Sequence, residues 1–126
     1  MGRNIHMLTA IHPKIPMRNK NITRKFYTEK LGFKERGAEV VAFDGYLILI
    51  KDQIELHFFE FRSLNPKENY GQIYIRCDDI DNYYQELLDR QVEIHPNGHL
   101  IRKPWGVREF ALLDPDMNLI TIGEEH

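Results

Sequence analysis

The chain reads as an α+β protein in which two βαβββ modules fold into one domain. The order of strand, helix and three strands occurs twice along 126 residues. The first helix begins near Ile22 and the second near Ile80, a period close to 58 residues. Polar turn residues between the strand runs favour hairpins. Identity between the halves is faint, yet one such module presents a sheet that is apolar on one face and too small to be stable alone. Two modules, at about 8–62 and 71–124, can cover each other.

Each element has a local reason. Residues 8–16 have the apolar content of a strand, but Pro13 and Pro16 cannot donate ladder hydrogen bonds. They predict an edge strand or an exchanged segment. Asn19 or Asn21 can cap a helix carrying Ile22, Phe26 and Tyr27, which Gly32 ends. Ile22 and Phe26 share the face predicted to be buried. A short extended piece at 33–36 precedes two strong runs, 46–50 and 54–59, joined by the polar turn Lys51, Asp52 and Gln53. Residues 63–70 have loop chemistry and link the halves.

The second half starts with a strand at 72–77. Asp79 or Asp78 then caps a helix whose stripe is Ile80, Tyr83, Tyr84, Leu87 and Leu88. Extended runs follow at 92–95, 106–113 and 119–124, with Asp114, Pro115 and Asp116 turning the chain between the last two.

Composition bounds the function. With 42% hydrophobic and 29% charged residues, the chain can bury a genuine core. Its single cysteine, Cys77, excludes an internal disulfide framework and suits the cytoplasm; it reads as a small buried apolar residue. A net charge of −2 and a pI near 6.3 give no drive toward nucleic acid or anionic lipid. No apolar run approaches the roughly 20 residues of a membrane span, and the N-terminus lacks signal-peptide order.

Two motifs carry more information. Residues 26–33 read FYTEKLGF, and residues 104–110 read PWGVREF, followed at 114–119 by DPDMNL. The first resembles the "FY…LGF" helix end, and the second the "PWG…REF…DPDGN" signature, of the glyoxalase, bleomycin-resistance and extradiol-dioxygenase superfamily. The bleomycin-resistance branch is the nearest. The resemblance implies the vicinal oxygen chelate fold, a curved mixed-sheet barrel, and a homodimer, with the proline-broken first strand suited to an arm exchanged between subunits.

Metal-dependent members of that superfamily place one ligand on the first strand and one near the last strand of each module. The matching positions here are His12, Glu55, Gln72 and Thr121. The first module keeps good donors, with His57 on the same face as Glu55, whereas glutamine is weak and threonine poorer. The reading is therefore no metal cofactor and no catalytic residue. The alternative is a divalent-metal lyase, isomerase or dioxygenase using His12, Glu55 and Gln72.

Without a metal, the remaining chemistry is binding. The resemblance implies that Trp105 stacks on the flat part of a bleomycin-like drug and that Tyr46 helps to sandwich it. Two or three ring contacts, each worth about 0.5–1.5 kcal/mol beyond area burial, could orient a planar ligand. His57, Phe59 and Tyr74 are further wall candidates, as is Tyr70. Alternation places Gln72, Tyr74 and Arg76 on one face, where Arg76 would meet an anionic ligand or a carboxylate such as Glu55. His95 and His99 flank a turn and read as surface residues. No nucleophile–histidine–acid set and no glycine-rich phosphate loop is found.

Overall fold

The strand pattern resolves into two four-stranded mixed sheets in a computed structural model that describes residues 5–37 and 45–125. The first contains β1 (Lys14–Met17), β2 (Lys34–Glu35), β3 (Tyr46–Lys51) and β4 (Ile54–Glu60), in the order β1-β4-β3-β2. The second contains β5 (Gln72–Arg76), β6 (Ile101–Arg102), β7 (Val107–Leu113) and β8 (Leu119–Glu125), in the order β5-β8-β7-β6. In each sheet the first strand runs parallel to the last and the remaining pairs are antiparallel. The module therefore recurs in topology as well as in element order.

β1 is shorter than the 8–16 run. It begins only at Lys14 and lies at a sheet edge, where Pro16 removes no ladder bond that the sheet interior needs.

Helix α1 (Lys20–Lys25) starts where the Asn19 side chain accepts the Ile22 amide, at 3.0 Å. It then widens into a π-helical turn over Phe26–Lys30, and Gly32, at φ +86°, ends it. The buried face differs from the expected one. Ile22 is 56% exposed, while Thr23, Tyr27 and Leu31 are buried. A stripe spaced four residues apart still covers the sheet, but its phase is shifted by one residue.

Helix α2 (Ile80–Asp89) buries Ile80 and Leu87, with Tyr83 and Tyr84 packed against the core. Asp79 occupies the cap position without capping; its carboxylate accepts from Asn82 instead. The predicted strand at 92–95 is reduced to one bridge, between Ile94 and Leu112. The edge strand there is β6, further along the chain.

Each sheet turns one face to the common core and leaves the other open. On β4, Leu56 and Phe58 are buried, and Glu55, His57 and Phe59 point the other way. On β8, Ile120 and Ile122 point inward. The 2-residue alternation of strands thus sorts core from candidate site along the same segments.

The sheets are joined through a buried polar hub in the turn before β8. Asp114 accepts from the Tyr27 hydroxyl at 2.7 Å, the Asn118 side chain at 2.8 Å, and the Asp116 and Asn118 amides at 2.9 Å. Asn118 also donates to the Pro16 carbonyl at 3.1 Å, and Arg18 pairs with Asp116 at 2.6 Å. Met117, where the resembled signature has glycine, holds the left-handed conformation at φ +63°.

Two stability predictions follow from this turn. Tyr27→Phe leaves the buried carboxylate short of a donor, and urea unfolding should show a loss of about 1.5–3 kcal/mol with an unchanged slope. Met117→Gly should gain about 0.5–1 kcal/mol in the same measurement, because relief of left-handed strain exceeds the entropy that glycine adds to the unfolded chain.

Candidate functional site

The open face of the first sheet carries a linked set of polar side chains. The Arg36 guanidinium reaches both Glu55 oxygens, at 3.0 and 3.2 Å. Glu55 Oε2 lies 2.6 Å from His57 Nε2, and His57 Nδ1 lies 2.6 Å from the Tyr46 hydroxyl. With His57 neutral, the chain is satisfied when Tyr46 donates to Nδ1 and Nε2–H donates to Glu55. His12 stacks on His57 with ring centroids 5.0 Å apart, and its Nε2 lies 3.5 Å from Glu55. The Lys14 ammonium sits 5.7 Å from the Tyr46 ring centre.

These contacts hold the Glu55 carboxyl below its ordinary value of 4.5. The His57 hydrogen bond contributes most, and the His12 and Arg36 charges add to it against partial desolvation. Burial, followed by the Glu55 charge, pushes the Tyr46 hydroxyl up, so it remains a donor at neutral pH.

The open face of the second sheet carries Gln72, Tyr74 and Arg76, the set predicted by alternation. Tyr74 donates to Glu109 at 3.0 Å. Arg76 lies 5.2 Å over the Tyr74 ring and 3.9 Å from Glu125. The expected Arg76–Glu55 pairing does not form, because Arg36 holds Glu55 and Arg76 is engaged on its own sheet. Trp105 is 67% exposed, and its Nε1 faces Glu109 at 3.4 Å.

A cleft of about 1100 Å³ opens between the two sheets. Residues 10–13 and the β3–β4 turn wall one side; β5, Asp78, Asp79 and α2 wall the other. It brings His12 and Glu55 together with Tyr74 and Arg76, and Cys77 lies on its wall rather than deep in the core. Gln72, Trp105, Tyr46, His57 and Phe59 are not among its lining residues. Among the described residues, no ring contact joins Trp105 to Tyr46. The cleft is bordered by Asp52, Glu55, Asp78, Asp79 and Glu86 against Lys51 and Arg76. Its acidity is concentrated beyond what the net charge of −2 suggests.

His12, Glu55 and His57 offer three ligand atoms within 4.8 Å of one another. Two imidazoles and a carboxylate are donors that a divalent metal accepts, but they are already engaged with one another and with Arg36. Coordination at Oε2 would break the 2.6 Å bond from His57 and place a second cation beside Arg36 on one carboxylate. Gln72, the donor proposed for the second module, lies outside the cleft that His12 and Glu55 border.

Comparison with known proteins places the chain. The family model of the glyoxalase-like domain matches residues 11–126. The chain belongs to the glyoxalase-like domain family. A bleomycin resistance protein of Klebsiella pneumoniae is 30% identical, with 87% of each chain covered. That of Geobacillus stearothermophilus is 29% identical, over 94% of this chain and 98% of the relative. A bleomycin-binding protein solved in complex with bleomycin superposes with a TM-score of 0.78 at 26% identity, covering 94% of this chain and all of that one. The bleomycin resistance determinant of transposon Tn5 gives 0.79, also at 26% identity, covering 94% and 99%. The vicinal oxygen chelate fold expected from the two motifs is the fold observed.

Sequence reasoning missed Arg36, Glu109 and the acidic wall of Asp78, Asp79 and Glu86. Asp78 and Asp79 were legible only as cap candidates, and Glu109 only as a letter of its motif.

The Glu55 network has a signed pH consequence. Glu55 binds fewer protons when folded than when unfolded, so it stabilises the fold above its unfolded pKa and loses that effect as pH falls through the lower folded value. Glu55→Gln should therefore be less stable than wild type at neutral pH, and the two urea midpoints should converge as pH drops below 4.5.

Proposed function

We propose that the protein binds and sequesters a flat, cationic glycopeptide of the bleomycin type, without a metal and without chemical change to the ligand. The charge of the cleft carries this reading: Arg36 pairs with Glu55, Arg90 with Glu86 and Lys51 with Asp52, while Asp78 and Asp79 on its wall enter no ion pair among the described residues. A cationic ligand gains Coulomb attraction there, and a phosphate or carboxylate ligand is repelled. The bleomycin resistance proteins among its relatives, and the related fold solved with bleomycin bound, support the same ligand.

The working unit in this reading is a homodimer. Ile5, Leu8 and Ile11 are each at least 94% exposed, an apolar arm with no packing on its own chain. Laid on a second copy, the arm would be covered, and Trp105 of one subunit could oppose Tyr46 of the partner across a shared crevice. His57 and Phe59, on the Tyr46 face, and Gln72, Tyr74 and Arg76, on the Trp105 side, would line its two walls. Among the described residues no helix is long and apolar enough to cross a membrane, and we place the protein in the cytoplasm on its cysteine content.

Titration with bleomycin, following the fluorescence of the single tryptophan, tests the proposal. Saturable quenching is expected in the wild type, and calorimetric titration of Trp105→Ala, which lacks the fluorescent probe, should show binding weakened about tenfold, the scale of one lost stacking contact. Prior dialysis against a chelator should leave the titration unchanged. No fluorescence response at high drug concentration would sink this ligand, and a stoichiometric transition metal after purification would favour the metal-dependent enzyme instead. Sedimentation should give the mass of two chains.

A further inference from the structure

On the open face of the second sheet, a nearly buried carboxylate lies between two exposed rings. Glu109, on β7, is 9% exposed and enters no ion pair among the described residues. Its Oε2 accepts from the Tyr74 hydroxyl at 3.0 Å and faces the Trp105 indole N–H at 3.4 Å. A carboxylate so placed forgoes water without gaining a cation, a costly choice for a side chain with only a packing role. Both donors belong to rings that expose their faces: Tyr74 is 48% exposed and Trp105 is 67% exposed.

The contact requires a second departure from the ordinary. Tyr74 is opposite Thr121 in the β5–β8 register, whereas Glu109 is opposite Gly123 in the β7–β8 register. The Tyr74 side chain must therefore cross β8 diagonally, and it does so over Gly123. A Cβ at that position would stand 2.0 Å from the Tyr74 hydroxyl oxygen. Glycine is the only residue that leaves this path open. Gly106, at φ +91°, turns the chain immediately after Trp105.

We propose that Glu109 is a positioning residue: its one carboxylate orients Trp105 and Tyr74 into a stacking platform before the ligand arrives, and Gly123 provides the clearance. The proposal rests on the reading that Trp105 stacks on a flat ligand. Ordering an exposed side chain at the moment of binding weakens affinity by about two- to tenfold, and a ring fixed beforehand avoids that loss. Arg76 covers one Tyr74 face, so Trp105 is the more open ring of the pair.

The test separates platform from ligand, because Trp105 is the only tryptophan and reports its own mobility. In the ligand-free protein, Glu109→Ala should lower Trp105 fluorescence anisotropy and increase quenching by acrylamide. Glu109→Gln retains an oxygen acceptor and should restore both. Gly123→Ala should leave Trp105 anisotropy near wild type, since it displaces Tyr74 alone. With bleomycin, Glu109→Ala should bind about tenfold more weakly and Glu109→Gln close to wild type. Native anisotropy in Glu109→Ala overturns the proposal. So does equal loss of affinity in the Ala and Gln variants, because the ligand would then be using the charge. If wild type binds no bleomycin while the anisotropy pattern holds, the ligand assignment fails and the positioning role stands.

Discussion

Because the two sheets share no strand, their relative position depends on what crosses between them, and the strongest crossing is the set of hydrogen bonds around Asp114. Four donors converge on one carboxylate that is almost out of contact with water, and one of them, Tyr27, comes from the other module. Burial pushes the Asp114 carboxyl up, and the bonds from Asn118 and Tyr27 oppose that shift without cancelling it. Such a group is stable only while its whole shell is in place, since a buried acceptor that loses a partner cannot turn to water. Asn118 extends the shell to the Pro16 carbonyl on β1, so the hub also fixes the edge strand beside which His12 lies.

With the modules fixed there, the open faces inherit their positions. Each sheet spends one face on the core, where its helix and the other module cover it, and the alternation of strands delivers a second face with nothing above it in the single chain. The first face carries a saturated network, in which Arg36, His57 and Tyr46 satisfy one another through Glu55. The second carries aromatic rings around Glu109. Neither face closes over the other within one chain, and Ile5, Leu8 and Ile11 stand exposed ahead of β1.

Much of this was legible in the sequence. Alternation placed Glu55 beside His57, and Gln72 beside Tyr74 and Arg76, because a strand leaves no freedom in that choice. The hairpin through Asp52 and the Gly32 stop followed from local backbone chemistry, and Asp52 does take a positive φ. The helix phase did not follow: Thr23 already faces the core and Ile22 solvent before the π-helical turn begins at Phe26, so the docking of the helix on the sheet, which local periodicity does not contain, set the buried face. The strand at 92–95 had apolar character but only Ile94 found a partner, because pairing is decided by the neighbouring strand. Arg36 on Glu55, Tyr74 on Glu109 and the acidic cleft wall are products of register between distant segments. Net charge averages over such clustering, which is why it did not reveal the carboxylates of Asp78 and Asp79 on the cleft wall, outside any ion pair among the described residues.

The state of Glu55 bears on the choice between binding and catalysis. An enzyme gains rate from groups that interact more strongly with the transition state than with the ground state. Here the carboxylate is already compensated by a guanidinium and an imidazole, and the imidazole's second nitrogen by a phenol. A group so engaged can present a fixed surface, but releasing it for metal coordination or proton transfer means breaking two short bonds first. The free polar capacity lies instead in the acidic rim and in the rings around Glu109. Those groups have the chemistry to recognise charge and flatness, which is what the sequestration proposed above would demand.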